Sequence, residues 1–147
     1  MKHRALAGTG LFAIALFAGG TAAEAAAIPA KSSFTVVTSF VSESPIIAAD
    51  GLWTGCTTVE DVDGWFNQVK PSKDQFSGEK VVHCSFGDVA IHYDAQVNFR
   101  AGQGRTSGTW SVIWSDNDVI HGGSGTVTGV SRGCEECIVD TFTGRLY

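Results

Sequence analysis

Past its first segment, the chain has no apolar run approaching the ~20 unbroken residues that a membrane-spanning helix needs. It also lacks a convincing amphipathic helix, Asp61 to Val69 being the one weak candidate. There is no basic stripe to displace counterions from phosphate, which excludes a nucleic-acid partner. No G-x-G-x-x-G precedes a helix, and no G-x-S-x-G elbow accompanies His121-Gly122-Gly123. Dinucleotide-binding and serine-hydrolase chemistry are therefore set aside. No N-x-S/T sequon occurs at Asn67, Asn98 or Asn117. Only one C-x-x-C is present, Cys134 to Cys137, so a zinc site built with His83 lacks its second thiolate pair. Glu60, Asp61 and Asp63 before Gly64, and Asp116 to Asp118, are too incomplete for calcium loops. No metal and no cofactor are expected.

Residues 1–27 read as a signal peptide: Lys2, His3 and Arg4 precede an apolar segment and small residues offering A-x-A cleavage patterns around Glu24. The expected destination is outside the cell, with no membrane anchor once the leader is removed. Residues 28–147 then form a single domain. Of 10 basic and 15 acidic side chains, 8 and 14 remain after the leader, a net charge of −6 with the acids scattered. That charge suits solubility better than a docking face. Export exposes the cysteines to oxidation, and Cys56–Cys84 with Cys134–Cys137 is the favoured of three pairings.

What the chain has in quantity is two-residue alternation. From Thr106 to Tyr147 three β-type runs are separated by Gly or Asp/Asn clusters, with Trp110, Val112 and Trp114 on one face. Ser33 to Ser42, Leu52 to Val59 and Gly64 to Val69 supply earlier strands, with Pro45 and Ala48 to Gly51 as breaks. Phe76 to Arg100 reads as a hairpin about Gly87-Asp88, a two-residue turn with Gly first. That turn sets Val82 opposite Tyr93 and Cys84 opposite Ile91 on an apolar face, and His83 opposite His92 on the other. A second hairpin about Ser115 to Asp118 lays Trp110 over Gly123. Eight or so strands in about 120 residues predict an all-β fold. The expectation is a single antiparallel up-and-down β-barrel, with a two-sheet β-sandwich as the alternative.

The succession SGTWSV, HGGSGTVTG and VDTFTGRLY resembles the C-terminal half of allene-oxide-cyclase-like barrel proteins, in particular short exported bacterial members of unassigned function. Gly123, Gly125 and Gly129 match the glycine strand of that group, and Thr141, Gly144 and Arg145 its closing strand. The resemblance implies a barrel and, by its plant members, an apolar lumen that holds a substrate folded for cyclisation. It carries over no catalytic residue.

Candidate sites follow from the faces. The aromatics Trp53, Tyr93, Trp110 and Trp114 are the candidate ligand-binding residues, Tyr93 offering a hydroxyl as a polar handle. His83 and His92, about 5 Å apart at Cβ in the expected register, with Asp94 nearby, are the candidate acid–base group. The expected function is an exported barrel binding a small apolar, lipid- or polyketide-like ligand in its lumen. The alternatives are a cyclase or isomerase acting by conformational templating and a ligand-free surface or structural module. Whether the chain is an enzyme, and its oligomeric state, are left open by the sequence.

Overall fold

The computed structural model describes residues 28–38, 42–131 and 138–147. Short alternating runs with turn residues between them fold as eight antiparallel strands. They are β1 (Lys31–Thr38), β2 (Glu43–Ala49), β3 (Cys56–Lys70), β4 (Lys73–Cys84), β5 (Gly87–Arg100), β6 (Gln103–Ser115), β7 (Gly123–Ser131) and β8 (Ile138–Leu146). Each strand pairs with the next, and β8 returns to β1 from Lys31 opposite Arg145 to Thr38 opposite Ile138. One sheet closed on itself replaces the sandwich alternative. Because alternate residues face one interior, β1 buries Phe34 and Val36 while β8 buries Asp140, Phe142 and Leu146.

One end of the barrel is filled. Gly51–Gly55, expected to begin a strand at Leu52, instead forms a single 3-10 turn that carries Trp53 into the lumen with no exposed surface. Its ring meets Phe34 edge-on at 4.8 Å and Trp110 at 6.0 Å. Ile120, from the connection after β6, is also fully buried. Trp110 lies over glycine: a side chain on Gly144 would collide with its ring and with the Ser124 carbonyl. The Trp110 indole N–H donates to the carbonyls of Thr126 (3.1 Å) and Thr143 (3.3 Å). The expected partner was Gly123; the ladder sets Trp110 opposite Gly125, two residues along and therefore on the same face. At this end a disulfide joins Cys56 to Cys84, which are directly opposite in the ladder. Closing a loop over 28 residues of sequence stabilises by about 3–4 kcal/mol in the chain-entropy picture. Cys134 and Cys137 lie outside the described residues, as do residues 1–27.

At the other end the wall is uneven. Strands β3, β4, β5 and β6 have 15, 12, 14 and 13 residues, against 8, 7, 9 and 9 in β1, β2, β7 and β8. Beyond Asp61, β3 runs on backed by β4 and β5 but without a β2 partner among the described residues, and this flap forms an apron. Among the described residues the join between β2 and β3 is thin: Glu43, Ser44 and Pro45 pair with Glu60, Val59 and Thr58, and the Asp61 N–H donates to the Ser42 carbonyl. Pro45, expected to break a strand, lies inside β2 at this seam. Proline brings no N–H to a ladder, and a weakly bonded strand tolerates that. Glu60 to Gly64, expected to be a connection, lies inside β3, which runs unbroken apart from bulges.

The β4–β5 hairpin differs in register from the expectation. Its turn is Ser85-Phe86, with Cys84 opposite Gly87, Val82 opposite Val89 and Gly78 opposite Tyr93. Gly87 takes φ +121° directly after the turn, the position a glycine bulge occupies. Half-buried Phe86 packs against the core from the turn itself. Every partner moves by four residues, an even number, so each side chain keeps its face.

Candidate functional site

Inward parity carries polar side chains into the open half of the lumen. Lys80 on β4 belongs to the same face as Val82 and is only 4% exposed. Its ammonium pairs with Asp61 of β3, directly opposite in the ladder, and lies 4.7 Å from the centre of the Tyr93 ring. Tyr93 points inward from β5, and burial, with Asp61 and Asp140 adding to it, pushes its hydroxyl up to about 12. Its ring meets Phe142 edge-on at 6.5 Å.

Asp140 completes the group from β8. Thr38 Oγ1 donates to its Oδ2 at 3.0 Å, while Oδ1 is buried without a close hydrogen-bond partner among the described residues. The Oδ1 atom lies across β7 at Gly129, where any side chain would overlap it. Burial, with the Asp61 charge adding to it, raises the Asp140 carboxyl above its ordinary value; hydrogen bonding from Thr38 and Thr106 and attraction to Lys80 offset only part of that. Lys80, Tyr93, Asp140, Thr38 and Thr106 line a cavity of about 70 Å³ whose walls are otherwise apolar. That is room for a few water molecules or one small polar head, well below the roughly 300–1,000 Å³ of sites that swallow a drug-sized ligand.

The Asp140 shift predicts a pH dependence. A carboxyl raised in the folded state binds its proton more tightly folded than unfolded. The stabilisation is therefore complete below the ordinary value of 3.8 and is lost as pH rises through the folded value. Denaturant unfolding across this range should show Asp140→Asn flattening the decline above about pH 4. An unchanged slope in that variant would assign the decline to other groups.

The expected imidazole pair is not formed. His83 stands opposite Asp88 and His92 opposite Glu79 on the outer face, which places the rings about 13 Å apart along the strands. His83 Nδ1 lies 2.9 Å from Asp88 Oδ1 and its Nε2 3.2 Å from Glu60 Oε2. The Asp88 bond is the main reason that its proton affinity is raised. His92 Nε2 lies 3.2 Å from Asp94 Oδ2. The Asp94 carboxyl is held below its ordinary value chiefly by hydrogen bonding from Ser77. Each histidine thus has carboxylate neighbours on an exposed wall. No group of three or more His, Cys, Asp or Glu placed to hold a metal occurs among the described residues.

Of the aromatic candidates, Tyr93 lines the cavity, whereas Trp53 and Trp110 pack the filled end. Trp114 is 48% exposed. A bulge at Ile113, between Val112 opposite Ile91 and Trp114 opposite Ala90, reverses the alternation and turns Trp114 outward. The sequence reading missed Lys80 and Asp140 as site residues, although the parity of Val82 and of Phe142 already placed them inside.

The arrangement offers an ammonium, a phenol and a carboxyl with one free oxygen at the base of an apolar opening. It can accept the oxygen-bearing end of a small molecule by hydrogen bonding, with charge already balanced by the Lys80–Asp61 pair. No family model, curated protein or solved structure matches the chain.

Proposed function

We propose that the protein is an exported barrel that binds a small, mostly apolar molecule head-first. The oxygen-bearing head enters the cavity between Asp140, Lys80 and Tyr93, and the hydrocarbon body lies along the inner face of the apron. Asp140 Oδ1 and the neighbouring Thr106 hydroxyl, both buried without a close hydrogen-bond partner among the described residues, carry this reading, because a buried polar atom left poorly bonded costs about 1–3 kcal/mol that a ligand can recover. The apron supports it with Phe66 and Phe99, 59% and 39% exposed on the inward-facing parity of β3 and β5. The cavity size restricts a lipid- or polyketide-like molecule to its head; the chain must lie outside. The leader-like residues 1–27 and the Cys56–Cys84 bond fit export. The resemblance to allene-oxide-cyclase-like barrels fits lumenal binding.

1-Decanol, whose hydroxyl can donate to Asp140 Oδ1 and accept from Tyr93 or Lys80, and whose tail is flexible and apolar, is the probe. Titration followed by intrinsic tryptophan fluorescence and by calorimetry should saturate, and Asp140→Ala should weaken binding about tenfold. Absence of saturable binding, together with no co-purifying small molecule in native mass spectrometry, would overturn the proposal.

A further inference from the structure

Past Asp61, whose N–H donates to the Ser42 carbonyl, β3 has no ladder partner on its β2 side among the described residues. The segment from Asp63 to Gln68 (DGWFNQ) is thus a free edge, bounded by bulges after Asp61 and after Gln68. Its side chains are unusually apolar for such a position: Val62, Trp65, Phe66 and Val69 are 56, 55, 59 and 49% exposed. Long edges of this kind are ordinarily blunted by charge, proline or cover, because open N–H and C=O groups template pairing. Here the charges are confined to the two ends and differ in sign. Asp63 stands at the start of the segment and Lys70 just past its finish.

We infer that this edge pairs antiparallel with the same edge of a second copy, making a two-fold homodimer whose sheet is continuous through two aprons. Charge selects the direction. A parallel arrangement would set acid beside acid and lysine beside lysine. An antiparallel one, with Phe66 of each copy opposite Phe66 of the other, sets Asp63 opposite the Val69-Lys70 bulge twice. The two-fold axis repeats every contact, and Trp65 and Phe66 of both copies meet near the centre. The groove along this edge is lined by Asp61, Gly64, Phe66, Phe76 and Tyr93, of which Phe76 and Tyr93 also line the lumenal cavity. A second copy seated there roofs the opening between β3 and the short strands. That roofing role rests on the ligand-binding proposal; the dimer itself does not.

Sedimentation velocity of the purified oxidised protein between about 1 and 300 µM tests the inference. A reversible dimer with a dissociation constant at the micromolar end of the range is expected for so short a ladder. Lys70→Asp should raise that constant at least about fivefold, since two attractive cross-strand pairs become repulsive. Adding Asp63→Lys to the same chain should restore it. A protein monomeric throughout the range would overturn the inference. So would failure of the double substitution to recover what Lys70→Asp loses, because another register or another surface would then hold the copies together. A second arm uses Phe66→Ser, which leaves the charges in place and should also raise the constant. The readout needs no ligand, so a dimer with no 1-decanol binding would sink the binding proposal alone.

Discussion

Replacing Trp53 by alanine is expected to lower stability by about 4 kcal/mol and the melting temperature by roughly 10–15 °C. Trp53 has no exposed surface and is wedged between Phe34 and Trp110. No neighbouring strand can close over its vacancy, because the sheet is already a ring. Phenylalanine at the same place should cost far less than alanine. The Trp53 Nε1 is buried without a partner, so the substitution removes an unsatisfied N–H along with the second ring. Trp110→Phe is the contrast. It forfeits the bonds to the Thr126 and Thr143 carbonyls and should cost more than Trp53→Phe. Urea unfolding of the variants measures each value. Equal losses for Trp53→Ala and Trp53→Phe would show that the site packs less tightly than its burial implies.

The second large effect is asymmetric. Asp61→Ala should cost about 3 kcal/mol, whereas Lys80→Met should cost less than about 1 kcal/mol. Lys80 is 4% exposed, so removal of the Asp61 carboxylate strips a buried ammonium above the Tyr93 ring of its ion-pair partner, leaving only the more distant attraction to Asp140. The Asp61 side chain is 39% exposed, so removal of the lysine leaves a carboxylate that water reaches, while methionine refills the apolar volume. Denaturant unfolding of the two variants measures the difference. Matching losses for the two substitutions would mean that the interaction itself, rather than stranded charge, sets the cost.

Much of the wall could be read in advance because alternation by two fixes parity, and parity survives any even slip. Val82, Cys84, Ile91 and Tyr93 belong to one set and His83 with His92 to the other, whether the turn is Gly87-Asp88 or Ser85-Phe86. Register is different information. It depends on turn conformation and on where Phe86 finds its packing, neither of which is periodic. The imidazole pair was lost for that reason. Trp114 was lost to the Ile113 bulge, since one inserted residue reverses everything beyond it. Lys80 and Asp140 show the opposite failure. Their parity was legible, but lysine and aspartate are so seldom enclosed that residue type outweighed position. Trp53 was reached by yet another route, from a 3-10 turn that alternation does not describe.

The seam between β2 and β3 has a mechanical consequence. Among the described residues three ladder pairs, one involving an imino acid, and the Asp61–Ser42 backbone bond fasten the circumference there, while Cys56 and Cys84 rivet β3 to β4 close by. Thermal breathing should therefore start along this suture, parting the staves like a lapel without unthreading the closed base. Amide protons of Ser44 and Val59 then exchange with deuterated solvent ahead of those flanking the β4–β5 ladder, and a guest too wide for the rim has a sideways door.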